Sequence, residues 1–310
     1  MKYDIIGDIH GHADQLEGLL KVLGYRPRGR TYKAPNGHKA VFVGDLIDRG
    51  PAQIRVLDIV RSMIDGGDAV AVMGNHEFNA IGFITRSDNG DYLRPHTRKN
   101  LEQHAEFLAQ VGEESPCHLE WVAWFKILPL AIDLNGIRVA HAWWCDDSVK
   151  EISDSYWDAH RRQMSDDFLY GSHEKGSPLE TARKILTCGV EWDLPNGTYI
   201  IDKAGHQHGE ARMAVWRHDA THLRQVAIVP KGNEDTVPNI AIPPEVRLIE
   251  VTGSPVFFGH HWFSGTPRTE TKKVACLDWS VAKGGPLVAY RWDGEDELHD
   301  ENFVMYGGSH

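Results

Sequence analysis

Three short segments near the N-terminus combine glycine with side chains that can bind a metal ion. They read "GDIHGH" (7–12), "GDLIDRG" (44–50) and "GNHE" (74–77). Each follows a short apolar run, which would place Asp8 and His10, then Asp45, then Asn75 at strand ends. Mixed carboxylate, imidazole and amide ligands favour Mn²⁺, Fe or Zn²⁺ over Ca²⁺ or a thiolate site. The pattern predicts a metal site.

The residues beside these ligands suggest what the metals would do. Asp45 is central in the order and could bridge two ions, and such a pair can clamp a phosphate and make a bridging hydroxide available near neutral pH. Arg49 offers a two-pronged guanidinium that matches phosphate oxygens. His76 could protonate the leaving oxygen, and Asp48 could hold its imidazole in one tautomer. The implied reaction is hydrolysis of a phosphate ester or anhydride.

Strands and helices alternate in the first 80 residues, which is how these motifs would come together. Apolar runs at 2–6, 40–43 and 69–73 predict strands, and apolar residues at helical spacing predict helices over 14–23 and 54–64. Such alternation favours βαβ units and a partly parallel sheet. Because the ends of parallel strands lie at one edge of a sheet, the motif side chains can converge there.

The pattern in the rest of the chain predicts further strands that complete the sheets, interrupted by an insertion. Helical spacing covers 98–111, and Asn135-Gly136 predicts a hairpin whose second strand ends at His141. Ser177-Pro178 should begin a helix that Gly189 ends. Strands are expected at 246–251, 255–258, 274–277 and 287–292. We expect one domain over 1–310, with residues 145–245 forming a mainly helical insertion or cap.

Composition limits the functional class. The chain has 310 residues, a formal net charge of −11 and four scattered cysteines. The acidic charge argues against long nucleic acid and anionic membrane surfaces, and no apolar run is long enough for a membrane span. Scattered thiols and an N-terminus without signal-peptide features favour the cytoplasm.

The three motifs, in this order, resemble the phosphoprotein phosphatase (PPP) family of binuclear metallophosphoesterases. That family includes serine/threonine phosphatases and the symmetrical diadenosine tetraphosphate hydrolases, and the bacterial nucleotide-hydrolase branch is the nearer match. The resemblance implies an α/β fold of the calcineurin-like type, with a β-sandwich of two mixed sheets flanked by helices. It also implies two divalent metal ions, with Mn²⁺ favoured and Fe or Zn²⁺ as alternatives.

The resemblance assigns roles to particular residues. Asp8, His10 and Asp45 would hold one metal, and Asp45 and Asn75 with two later histidines would hold the other. His76 would be the acid, with Asp48 behind it, and Arg49 would bind phosphate. His141 is the expected third ligand of the second metal, although "HAWW" replaces the family's usual "HGG" or "HAG". For the last ligand, His260 in "PVFFGHH" is favoured over the rival "AGHQH" (204–208) because it follows an apolar run.

The sequence therefore predicts a metallophosphoesterase that acts on nucleoside polyphosphates, as diadenosine tetraphosphatases do, or on small phosphomonoesters. Phosphoprotein is the alternative substrate. A phosphodiesterase or nuclease and a non-catalytic binding scaffold are the other classes considered. A second phosphate-binding arginine is left open between Arg212 and Arg217.

Overall fold

We describe a computed structural model of the chain over residues 1–195, 198–201, 207–230 and 232–308. Within these residues the helices are α1 (Ala13–Val22), α2 (Gln53–Asp65), α3 (Asn75–Ile84), α4 (Arg98–Val111), α5 (Pro116–Phe125), α6 (Asp146–Ser153), α7 (Asp166–Gly171), α8 (Pro178–Cys188) and α9 (Leu223–Val226). Short 3₁₀ turns cover Glu234–Thr236, Val281–Lys283 and Asp300–Asn302.

The strands of the same residues are β1 (Lys2–Ile6), β2 (Arg26–Arg28), β3 (Thr31–Lys33), β4 (His38–Phe42), β5 (Ala69–Ala71), β6 (Ala131–Asp133), β7 (Arg138–Ala140), β8 (Trp157–Asp158), β9 (Gln163–Met164), β10 (Val190–Asp193), β11 (Ile200–Ile201), β12 (Gln207–His208), β13 (Glu210–Met213), β14 (Ala227–Ile228), β15 (Val256–Phe258), β16 (Val274–Cys276), β17 (Pro286–Trp292) and β18 (Phe303–Gly307).

Two mixed sheets form the centre of the fold. The first has the order β18-β17-β1-β4-β5, with β1, β4 and β5 parallel. The second has the order β16-β15-β7-β6, with β7, β15 and β16 parallel. Alternate residues of both sheets, such as Ile5, Val41 and Phe257, form one buried apolar cluster. Because strand side chains alternate between faces, this cluster is the interior of a β-sandwich.

Helices cover the outer face of the first sheet. Leu16, Leu19 and Leu20 of α1 are fully buried and belong to a second apolar cluster that includes Ile6 and Phe42. Leucines spaced three and four residues apart give a helix one apolar stripe, which explains why α1 packs on the sheet. The predicted α/β sandwich flanked by helices is confirmed.

Several local predictions are also confirmed. The hairpin pairs Asp133 with Arg138 around Asn135-Gly136, and helix α4 has the predicted bounds. Ser177 caps α8, since its Oγ accepts a hydrogen bond from the Glu180 N–H at 2.9 Å. The Glu180 side chain accepts from the Gly176 N–H instead of closing back on Ser177.

One strand prediction is wrong, and the insertion is less helical than expected. Residues 246–251 form no strand, because their backbone hydrogen bonds do not form a ladder. The Val246 N–H closes a turn on Pro243 O, and the Ile249 N–H donates to Val215 O. Helices α6 to α8 fill the first half of 145–245, whereas β10, β13 and β14 form a small antiparallel sheet in the second half. These strands are too short to show a clear alternation. No helix among the described residues is long and apolar enough to cross a membrane.

Candidate active site

The predicted ligands all follow strands that end at one edge of the sandwich. Asp8 and His10 follow β1, Asp45 follows β4, and Asn75 begins α3 just after β5. From the other sheet, His141 follows β7 and His260 follows β15. The two groups meet directly, because His141 Nδ1 lies 2.7 Å from the Val43 carbonyl oxygen and the His260 N–H donates to the Asp8 carboxylate.

Glycines permit the close approach of these loops. A Cβ atom on Gly259 would lie 1.8 Å from an Asp8 carboxylate oxygen, and one on Gly74 would lie 2.2 Å from Asp45 Oδ1. Three ligand residues also adopt positive φ, at 46° for His10, 50° for Asp45 and 65° for His260. Non-glycine residues rarely occupy this region, and they cluster there at functional sites.

Two trios of potential ligand atoms share Asp45. The ligand atoms of His10, Asp45 and His76 lie within 4.8 Å of one another, and so do those of Asp45, His141 and His260. Asp8 belongs to neither trio, and its carboxylate accepts the backbone N–H of His260 at 3.0 Å. Asn75 Oδ1 lies 3.1 Å from His141 Nε2. The trios differ from the prediction, in which Asp8 joined His10 and Asp45 at one metal and His76 was the acid.

The electrostatics of these buried groups favour a bound cation. Burial and the nearby Asp278 raise the pKa of Asp8 well above its ordinary value. Burial also disfavours the charged form of His141, yet the Asp45 carboxylate raises the pKa of that imidazole to about 10. Positive charge is therefore stabilised beside Asp45 even in a buried position.

The nitrogens around Asp45 test whether metals fit. His141 Nε2 lies 3.3 Å from Asp45 Oδ1 and 3.2 Å from His260 Nδ1. These three residues form one ligand trio, so a cation between them would be bound by all three. Together with oxygen and nitrogen donors around Asp45, the residues present fit divalent metal ions.

A carboxylate between two histidines stands next to the trios. Asp48 Oδ2 lies 2.5 Å from Nδ1 of His76, and its Oδ1 lies 2.7 Å from Nδ1 of His104. These two histidines lower the pKa of Asp48 to about 2, against the effect of its burial. The Nδ1–H groups therefore donate to Asp48, which leaves His76 Nε2 as an acceptor facing the site.

Two donors converge on that nitrogen. The Arg49 guanidinium reaches His76 Nε2 at 3.3 Å, and the Gln103 side-chain amide reaches it at 3.4 Å. Arg49 is exposed at the opening of the site. A bound phosphate could take the place of the imidazole as the acceptor for both groups. The structure thus brings the predicted Asp48, Arg49 and His76 together.

Two further side chains hold the ligand loops, and sequence reasoning gave them no role. Glu77 accepts backbone N–H groups from Gly74, Asp45 and Leu46, which fixes two motif loops together. Asp278 accepts from the N–H groups of Trp262 and Ser280 and so fixes the loop after His260. Glu77 could have been found from the sequence because it belongs to the "GNHE" motif. Nothing in "CLDWS" indicates a role for Asp278.

The two candidate arginines differ in their surroundings. Arg217 is bound to Glu270 at 2.8 Å. Arg212 is half-buried, lies 3.8 Å from Glu191, and its charge lowers the pKa of His260 after the effect of burial. Of the two arginines, Arg212 is therefore the one whose charge acts on a predicted ligand. The rival segment 204–208 falls largely outside the described residues.

The family follows from comparison with known sequences. A model of calcineurin-like phosphoesterases matches residues 1–260. The chain belongs to this family. The resemblance seen in the three motifs is thereby confirmed, and for a calcineurin-like phosphoesterase divalent metal ions are the expected cofactors.

Two bacterial proteins have sequences similar to parts of this chain. The chain is 46% identical over 144 residues to a bis(5'-nucleosyl)-tetraphosphatase PrpE, described as asymmetrical, of Oceanobacillus iheyensis. That match covers 46% of this chain and 56% of the relative, so only about half of the relative's length is matched. The Bacillus subtilis protein of the same name is 42% identical over 201 residues, which cover 62% of this chain and 77% of the relative.

A Saccharomyces cerevisiae protein serine/threonine phosphatase with similarity to human phosphatase PP5 has a similar fold. Its TM-score is 0.51 at 16% identity, over 100% of this chain and 80% of that one. At this identity the likeness concerns the fold alone.

Proposed function

We propose that this calcineurin-like phosphoesterase is a cytoplasmic hydrolase that cleaves phosphate anhydrides of dinucleoside polyphosphates. The observation that carries the proposal is the placement of the Asp48–His76 pair and Arg49 beside two ligand trios that share Asp45. The names of the two bacterial relatives support the substrate class.

The proposed metal residues divide between two ions. Asp8, His10 and Asp45 would hold one, and Asp45, Asn75, His141 and His260 the other. Divalent ions bound there would polarise the phosphoryl group and lower the pKa of water. We propose Mn²⁺, with Fe or Zn²⁺ as alternatives that the same mixture of carboxylate, amide and imidazole donors would bind.

The remaining residues act on the substrate. Arg49 would bind the phosphoryl oxygens as a fork, and Arg212, whose charge acts on His260, would assist it. When its ring is protonated on both nitrogens, His76 would deliver the proton of Nε2 to a leaving oxygen, while Asp48 holds its Nδ1–H. His76 also belongs to one ligand trio, so the metal content of a His76 variant distinguishes a ligand from an acid.

Product analysis tests the proposal. With Mn²⁺, we expect diadenosine tetraphosphate to be hydrolysed with a higher kcat/KM than p-nitrophenyl phosphate or a phosphoserine peptide. Chromatography of the products distinguishes AMP plus ATP, from asymmetrical cleavage, from two molecules of ADP. Hydrolysis of the phosphopeptide alone would replace this proposal with a protein phosphatase, and hydrolysis of none of the three would contradict it.

A further inference from the structure

The outer side of α3, next to His76, carries a group of basic side chains that no part of the proposed chemistry uses. Arg94 precedes α4 and Arg183 lies on α8, and both are half-buried. Burial lowers the pKa of Arg94, the Asp48 carboxylate opposes this effect, and the Arg183 charge adds to it, so the two guanidiniums act on each other. Burial lowers the pKa of His173, and the charges of Arg183 and Arg94 lower it further.

The surface of α3 holds this group in place. Phe78 stacks on His173 with ring centroids 5.0 Å apart, and the Arg183 guanidinium lies 4.9 Å from the Phe78 ring. A Cβ atom on Gly82 would meet His173 Nε2 at 3.0 Å and Arg94 Cβ at 3.4 Å. Gly82 therefore lets Arg94 and His173 pack directly on the helix.

Neither arginine forms an ion pair with a described carboxylate. Glu180 pairs with Lys184 and Glu191 lies against Arg212, while the charges of Asp48 on Arg94 and of Glu180 on Arg183 act from beyond ion-pair distance. Other partly buried arginines are paired, such as Arg217 with Glu270 and Arg291 with Asp4. Two adjacent half-buried cations repel each other, so an anion between them would stabilise both.

Gln103 connects this group with the candidate active site. Arg94 Nη2 donates to Gln103 Oε1 at 2.7 Å, and the amide nitrogen of the same side chain lies 3.4 Å from His76 Nε2. Arg49 reaches that nitrogen from another side. Donors therefore continue from the position of the scissile phosphate toward Arg94 and Arg183.

We propose that Arg94 and Arg183, with Gln103, form a subsite for the phosphates beyond the scissile one in a polyphosphate chain. This inference rests on the proposed function, and it gives the insertion a role, because α8 supplies Arg183. A monophosphate ester would leave the subsite empty. Guanidinium–phosphate hydrogen bonds are charge-assisted, so removing one should weaken polyphosphate binding strongly.

The test compares three arginine variants. Arg94→Met and Arg183→Met should each weaken calorimetric binding of inorganic tripolyphosphate to the as-purified protein roughly tenfold or more, and leave orthophosphate binding unchanged. With Mn²⁺, kcat/KM on diadenosine tetraphosphate should fall similarly, mainly through KM, while kcat/KM on p-nitrophenyl phosphate should stay the same. Arg86→Met is the control, since Arg86 stacks on Tyr92 and donates to the Gly90 carbonyl and the Tyr92 hydroxyl instead of Gln103.

The outcomes separate this inference from the proposed function. If the wild type cleaves no dinucleotide but binds tripolyphosphate through Arg94, the function is wrong and the subsite stands. Unchanged tripolyphosphate binding in both variants would overturn the subsite, and so would an equal loss for orthophosphate or in Arg86→Met. Two variants on different elements, each with its melting curve recorded, guard against misfolding of one.

Discussion

At the scale of single residues, the contacts of Asp48 give the most information about the chemistry of the candidate site. Its carboxylate is almost fully buried and binds Nδ1 of both His76 and His104. Its backbone N–H is itself fixed by Gln53 at 2.7 Å. Because each part of Asp48 has a partner, the His76 ring is held in one orientation with Nε2 toward the substrate.

His76→Asn tests whether this ring is a proton donor. With both metals kept, kcat on an alkyl phosphate should fall by about 10²–10⁴, the usual contribution of a general acid. The loss on p-nitrophenyl phosphate should be small, because p-nitrophenolate leaves without a proton. The measurement is kcat for both substrates together with metal content by elemental analysis.

The alternative role gives a different result. If His76→Asn loses one equivalent of metal, the imidazole is a ligand, as its trio with His10 and Asp45 would allow. Equal losses on both substrates with full metal content would also contradict the proton-donor role. His218→Asn, at a half-exposed position paired with Asp219, is the matched control.

Helix α8 matters at the scale of elements because it supports the loop that carries His141. Its Leu186 carbonyl accepts the N–H of Ala142, the residue after His141, at 2.8 Å. Ser177 begins the helix with a side-chain cap, and Gly189 ends it with φ of 84°. The insertion is thus tied to the candidate second metal position.

Ser177→Ala should lower the free energy of unfolding by about 1 kcal/mol, since it leaves the Glu180 N–H without its cap. Thr181→Ala on the same helix is the control, because Thr181 Oγ1 only bonds back to the Ser177 carbonyl. Denaturant unfolding of the three proteins measures the difference. Equal effects of both changes would show that the cap contributes nothing specific.

The elements also show what the sequence can and cannot predict. The motif loops were predictable because each follows a short apolar strand and needs glycine for close approach, as at Gly74 and Gly259. The role of His104 was not, because it depends on how α4 packs against the loop of Asp48. The segment 246–251 has strand-like residues, and only its missing neighbour strand keeps it irregular.

At the scale of the whole molecule, the candidate site joins the two sheets of the sandwich. Asp8, His10, Asp45 and Asn75 come from the first sheet, and His141 and His260 come from the second. Bound ions would therefore cross-link the sheets. The glycine-flanked loops of the three N-terminal motifs supply the ligands from the first sheet.

The measurement that tests this account most directly is an anomalous difference map from crystals grown with Mn²⁺. We expect two peaks, with Asp45 in contact with both, Asp8 and His10 at one, and Asn75, His141 and His260 at the other. A map with no peak at Asp45, a single peak, or a second ion held by the 204–208 segment in place of His260 would contradict it.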